Sequence, residues 1–189
     1  MASFSIDSFT AKLKGGGALA SLFEAELTTS KGTSDQSATD DFKFLCKATT
    51  LPGDTLDVAE IKYMGRGINI PANRAAVQWT TTVYNDEGME IRNNIESWME
   101  QLNSHKSILR AKAMTKINSY TGTLKVRTFG KASSTRSTKT YEFMDAWPSA
   151  IGEITVDWET NDIQTYDITW EFSYWRSAES NTGFGSNGG

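Results

Sequence analysis

Two stretches near the carboxyl end carry the strictest alternation of apolar and polar positions. From Gly152 to Glu159, Ile154, Val156 and Trp158 fall on one face and Thr155, Asp157 and Glu159 on the other, which is the period of a half-buried strand. After the turn residues Thr160, Asn161 and Asp162, Gln164, Tyr166, Ile168, Trp170, Phe172 and Tyr174 oppose Thr165, Asp167, Thr169, Glu171 and Ser173. Two such runs joined by a short polar link predict an antiparallel hairpin. One of its faces is aromatic and the other is made of carboxylates and hydroxyls.

Upstream, Ala2 to Lys14 is weakly patterned and ends at Gly15, Gly16 and Gly17, a flexible joint. Leu19, Ser21, Phe23, Ala25 and Leu27 share one face of a first strand, and Thr28 to Asp41, rich in hydroxyls and free of aromatics, is a loop. Alternation from Phe42 to Ala48 predicts a second strand paired with the first. Val58 to Tyr63, a turn at Gly65, Arg66 and Gly67, and Ile68 to Ile70, stopped by Pro71, predict a hairpin over 54–74 that projects from the body. Such a projection exposes Tyr63, Met64, Ile68 and Ile70, the mark of a partner surface. Trp79 to Tyr84 is β-branched and strand-like.

The spacing of Ile91, Ile95, Trp98, Met99 and Leu102 predicts one helix, flanking the sheets, with Asp86 and Glu87 at its positive end. Leu109 to Lys116 fits either helix or loop. Leu124 to Phe129 and Thr140 to Met144 predict strands around a loop from Gly130 to Lys139 that carries Lys131, Arg136 and Lys139. Seven or more strands against one helix give an all-β chain: two packed antiparallel sheets, as a sandwich or barrel, with one flanking α-helix and an extended hairpin projection. The expected division is a flexible arm over 1–18, one β domain over 19–176 and a flexible tail over 177–189.

Composition narrows the function classes. With 19 basic and 23 acidic residues the 189-residue chain has a formal charge of −4, which opposes a broad electrostatic nucleic-acid face. One cysteine, Cys46, forbids an intrachain disulfide, and its alternating position reads as a small core residue. Neither a signal peptide nor a membrane-length apolar run is visible, so folding in a cytoplasm without direct membrane binding is expected. His105 is the only histidine, which leaves no multi-histidine metal site and reads as a helix-end residue. Gly65 and Gly67 lack the third glycine and following helix of a phosphate cradle. Asp157, Glu159, Asp167 and Glu171 share a face and could supply a glycosidase pair, though a solvated acidic face accounts for them more simply. The aromatic ladder of Tyr166, Trp170, Phe172 and Tyr174 could stack sugars, but it opposes the polar face and reads as core. No cofactor, metal or enzymatic activity is expected.

Three segments carry a resemblance to a known family: Phe42 to Gly53 (FKFLCKATTLPG); Tyr63 to Arg74 (YMGRGINIPANR) with Trp79 to Glu87 (WTTTVYNDE); and Ala146 to Trp175 (AWPSAIGEITVDWETNDIQTYDITWEFSYW). Together they resemble the tail tube protein of contractile-tailed bacteriophages over most of Phe42 to Trp175. The chain departs from that pattern in a longer amino-terminal arm, in the loop from Ser30 to Asp41 and in the tail after Arg176.

The resemblance implies a structural subunit of the virion whose hexameric rings stack into a tube, assembled in the host cytoplasm. It also implies tail sheath, baseplate, tail terminator and tape-measure proteins as partners, and DNA passing through the lumen without specific binding. On that footing Tyr63, Met64, Arg66, Ile68 and Ile70 are expected between successive rings. Asp157, Glu159, Asp167 and Glu171 are expected to line the channel, where carboxylates repel phosphate. An inner-tube subunit of a type VI or other phage-derived injection system is the alternative reading. A glycan-binding or glycosidic β-sandwich is a distant third.

Overall fold

The computed structural model of the chain describes residues 5–13, 16–28, 36–75, 77–106, 116–131 and 133–179. In chain order the elements are α1 (Ile6–Lys12), β1 (Phe23–Thr28), α2 (Gln36–Leu45), β2 (Cys46–Thr49), β3 (Leu56–Tyr63), β4 (Arg66–Arg74), β5 (Trp79–Tyr84), α3 (Glu90–Leu102), α4 (Ile117–Tyr120), β6 (Gly122–Gly130), β7 (Ser133–Ile151), β8 (Thr165–Glu171) and β9 (Tyr174–Glu179).

Two antiparallel sheets share one strand. β1, β6, the first part of β7 and β9 lie side by side in the first, and the end of β7, β8, β5 and β2 in the second. The chain passes between them at Asp145. On β6, Gly122 pairs with Ala146 and Leu124 with Phe143, so Thr123 is matched by two residues of β7. The extra residue, Asp145, has φ +55°. A bulge of this kind bends a strand sharply enough to turn a corner from one sheet into the next.

The core lies between the sheets and under two helices. Trp79 of the second sheet stacks on Phe143 of the first at 4.6 Å between ring centroids, and Trp170 packs against Trp98 of α3 and edge-on to Phe42 of α2. Polar atoms of these aromatics are satisfied: Trp79 Nε1 donates to the Thr50 carbonyl at 2.7 Å and Trp98 Nε1 to that of Tyr120 at 2.8 Å. α3 buries Ile91, Ile95 and Trp98, the stripe its spacing predicts. The Asp86 carboxylate accepts from the backbone N–H of Glu90 at 3.1 Å and so caps its start.

Several sequence expectations fail for identifiable reasons. Residues 152–157 form no strand; β7 ends at Ile151, and the partners of β8 are β5 and residues 147–151. Alternation favours an extended chain, but a strand also needs an open edge to pair with, and both neighbours of β8 are already present. The run from Gln164 to Tyr174 is two strands, broken after Glu171, because a period of two does not say on which sheet a residue lies.

Phe42 to Leu45 is helix, where a strand paired to β1 was expected; Phe42 is fully buried and Phe44 is exposed. Phe42, Leu45 and Cys46 fit a helical face at least as well as Phe42, Phe44 and Cys46 fit a strand. The partner of β1 is β6, and that of β2 is β5. The expected loop from Gly130 to Lys139 belongs largely to β6 and β7, which reverse between Gly130 and Ser133. Part of the expected arm is helix α1, capped by the Ser5 side chain. The basic segment Leu109 to Lys116 lies outside the described residues except for Lys116, and of the expected tail only 177–179 lie inside them, in β9.

Candidate assembly surfaces

The projecting hairpin is built from β3 and β4, and every residue of both strands is exposed. Its turn is Met64–Gly65, with φ +49° and +79°, the left-handed pair that a two-residue hairpin of matching twist requires. The turn therefore comes one residue before the expected Gly65–Gly67. β4 also continues through Pro71 to Arg74, since a register shift between Leu56 and Val58 accommodates the ring beside Val58. At the neck an Arg74–Asp54 ion pair and a 3.0 Å bond from Ala75 N–H to the Thr55 carbonyl close the loop.

Register sorts the two faces. Tyr63 lies opposite Arg66, Ile61 opposite Ile68, and Ala59 opposite Ile70, while Lys62 faces Gly67 and Glu60 faces Asn69. Residues directly opposite share a face. The first face is therefore apolar with one guanidinium at its end, and the second is polar beyond Val58 and Pro71 at its base. The structure brings Tyr63, Arg66, Ile68 and Ile70 together, sets Met64 at the tip, and adds Ile61, which is 53% exposed and went unremarked in the sequence. Counting residues of alternate parity on both strands would have found it.

The outward face of the second sheet carries hydroxyls and carboxylates. Thr82 Oγ1 donates to Asp167 Oδ1 at 2.6 Å, and Gln78 Nε2 donates to Glu171 Oε1 at 2.6 Å. Behind them Tyr166, Ile168 and Trp170 are buried, as the aromatic face predicts. Asp157 and Glu159 are not on this face. They lie in the connection 152–164, where Asp157 Oδ1 accepts from Glu159 N–H at 3.1 Å. The four carboxylates thus form two separate pairs.

That connection is pinned at both ends. Gly152 N–H donates to the Asp167 carbonyl at 2.6 Å, Arg92 Nη1 donates to the Gly152 carbonyl at 3.1 Å, and Asn85 N–H donates to the Gln164 carbonyl at 2.9 Å. Between the pins Val156, Trp158 and Ile163 are exposed, Trp158 completely. The place of Val156 and Trp158 on the apolar face of a predicted strand had implied the core.

Each sheet ends in an unpaired strand edge among the described residues: β1 and β9 in one, β2 and residues 147–151 in the other. Reactive chemistry is sparse. Burial pushes the Cys46 thiol up to about 12, only partly offset by hydrogen bonding with the Ala48 backbone, so it is a poor nucleophile. His105 lies exposed beyond the end of α3. Among the described residues no three His, Cys, Asp or Glu side chains are grouped to hold a metal, and no helix is long and apolar enough to cross a membrane.

Comparison with known proteins identifies the family. The profile of a family described as phage tail tube protein matches residues 18–178. The chain is 32% identical over 135 residues to the tail tube protein gp19 of Enterobacteria phage T4, covering 71% of this chain and 80% of that protein. Identity and coverage are the same for the tail tube protein gp19 of Enterobacteria phage T6. Among solved structures, a chain of the PVC sheath–tube complex of an extracellular contractile injection system superposes with a TM-score of 0.62 at 13% identity, covering 94% of this chain and 99% of that one. A chain of the anti-feeding prophage baseplate superposes with a TM-score of 0.64 at 10% identity, covering 87% and 97%. At those identities the two superpositions establish a common fold.

Proposed function

This chain belongs to the phage tail tube protein family, and we propose that its copies close into hexameric rings which stack as the hollow tail tube through which the genome enters the host. The observation that carries the reading is the projecting hairpin, whose apolar face, with Ile61, Tyr63, Ile68 and Ile70, is left exposed by the described residues. A monomer with such a surface is an aggregation hazard, whereas a repeating assembly buries it in every copy. Burial contributes on the order of 1.5–3 kcal/mol for each large side chain fully covered. We assign Tyr63, Met64, Arg66, Ile68 and Ile70 to contacts between successive rings.

Unpaired edges support ring closure. An exposed strand edge invites pairing, and joining neighbours edge to edge into a continuous barrel removes the hazard. The outward face of the second sheet suits the channel wall. Asp167 and Glu171 stand there among threonines, and neither β5 nor β8 contains a lysine or arginine. A duplex carries a charge every ~1.7 Å, so a wall whose two central strands hold no cation, with Lys47 on the edge strand β2 set over the Tyr84 ring, offers it few sticking points. Asp157 and Glu159 belong to a different surface.

The protein would act by assembly, with no catalysis of its own and no cofactor. Its partners would be tail sheath, baseplate, tail terminator and tape-measure proteins, and assembly would take place in the host cytoplasm. Sequence identity to tail tube proteins of two phages favours this over the tube of an injection system, to which the likeness is one of fold. Electron micrographs of the purified protein test it: rings or tubes are expected. The double variant Tyr63→Asp/Ile68→Asp is expected to stay folded and to form no tubes. A chain that remains monomeric at high concentration would contradict the assembly reading, and tubes of undiminished length from the double variant would contradict the role of the hairpin.

A further inference from the structure

We propose that the connection 152–164 is the surface on which the hairpin tip of the next copy docks. This rests on the tube reading and specifies its stacking contact. The two surfaces lie at opposite ends of one strand. The connection enters β8 at Thr165, beside Tyr84 and Gln164; β8 leaves at Glu171, beside Gln78 and close to the neck of the hairpin. Seven strand residues separate the ends by about 20 Å, and the hairpin, with eight residues in β3, is itself about 25 Å long. A protruding element at one pole and its receiver at the other make a heterologous contact, the kind that propagates from copy to copy without closing.

The two surfaces match in polarity. The tip presents Ile61, Tyr63, Met64 and Ile68, while the connection presents Val156, Trp158 and Ile163, all more than half exposed. A completely exposed tryptophan is the side chain most suited to anchoring an interface, because it covers a large apolar area with few rotamers to immobilise.

They match in charge as well. From Glu60 to Ile70 the hairpin holds Lys62 and Arg66 against a single carboxylate, Glu60, which lies over Gly67; from Gly152 to Gln164 the connection holds Glu153, Asp157, Glu159 and Asp162 and no cation. All of these charged side chains are exposed. Complementary charge around an apolar centre fixes orientation and rejects the reverse pairing, in which two acidic or two basic surfaces would meet. The same contact accounts for the exposure of Trp158 and for the pins at Gly152 and Gln164, which hold the receiver in place ahead of docking.

Reciprocal charge reversal tests the contact. Lys62→Glu/Arg66→Glu on the tip and Asp157→Lys/Glu159→Lys on the connection are made separately and together, with folding checked by circular dichroism and tube growth by micrographs and sedimentation. Each pair alone is expected to raise the critical concentration for tube growth at least about tenfold. The fourfold variant is expected to recover most of that loss. Trp158→Ala, which adds no charge, is expected to move growth in the same direction as the reversals, and it serves if a reversal fails to fold. Normal growth of the connection variants alongside failure of the tip variant would overturn the proposal and leave the stacking role of the hairpin standing. A fourfold variant no better than either pair would also overturn it, and an unmodified chain that never forms tubes would remove the assembly reading beneath it.

Discussion

Nε1 of Trp170 donates a hydrogen bond of 2.9 Å to Oγ1 of Thr81, and both residues are fully buried. The pair joins β8 to β5 inside the second sheet. It explains why an otherwise apolar core tolerates a threonine, since the hydroxyl is the acceptor the indole needs once water is gone. Thr81→Val keeps the shape and strands the indole N–H, which should cost about 1–3 kcal/mol. Urea unfolding of the unassembled subunit should show a lower midpoint with an unchanged slope. Trp170→Phe in the Thr81→Val background should add less than it does alone, because the partner is already missing.

Glu142 makes the first sheet sensitive to acid. Burial raises its carboxyl pKa, but hydrogen bonds from Arg176 and Lys125 and their charges more than offset that, leaving the pKa below the usual value of 4.5. A depressed carboxylate stabilises the fold fully above its unfolded pKa, and that stability is lost as pH falls through the folded value. Unfolding midpoints should therefore drop as pH is taken below about 4.5. Glu142→Gln should be less stable by roughly 1–2 kcal/mol at neutral pH and show a flatter acid limb. An acid limb identical to that of the parent would remove Glu142 from the explanation.

Gly152 lies where a side chain would press on backbone. A Cβ there would come within 3.0 Å of the Asp167 amide nitrogen and 3.1 Å of its carbonyl oxygen, and both belong to a paired strand that cannot move aside locally. Gly152→Ala should cost about 1–3 kcal/mol and loosen the adjoining connection. Hydrogen exchange of the amides at position 152 and of Asn85, the donors of the two pins, should speed up more than exchange across β6.

The outward face of the second sheet can be tested by charge. Asp167→Lys/Glu171→Lys should leave tail assembly intact and slow genome delivery, because lysines on a channel wall would hold phosphate where carboxylates repel it. The measurement is the ejection rate of assembled particles, with the deficit shrinking as salt is raised. Ejection at the parental rate from intact tails would place this face elsewhere than the lumen.

Local periodicity determined much of this protein by itself. The buried stripe Ile91, Ile95 and Trp98, the inward alternation of Tyr166, Ile168 and Trp170, and the projection around Gly65 follow from spacing, turn chemistry and exposed apolar residues. Each depends on neighbours only a few residues away. Three matters were settled by tertiary structure. Whether Val156 and Trp158 are core or surface depends on an open edge beside β8, and residues 147–151 occupy it. Whether Phe42 begins a strand or lies in a helix depends on the edge-on contact its buried ring makes with Trp170, far along the chain. The sharing of β7 between two sheets depends on a bulge at Asp145, where the count of residues on the paired strand β6, some twenty positions back in the chain, decides which residue is surplus. The same logic divides the four carboxylates, because a face is a property of the pairing and alternation along one strand is blind to what lies alongside it.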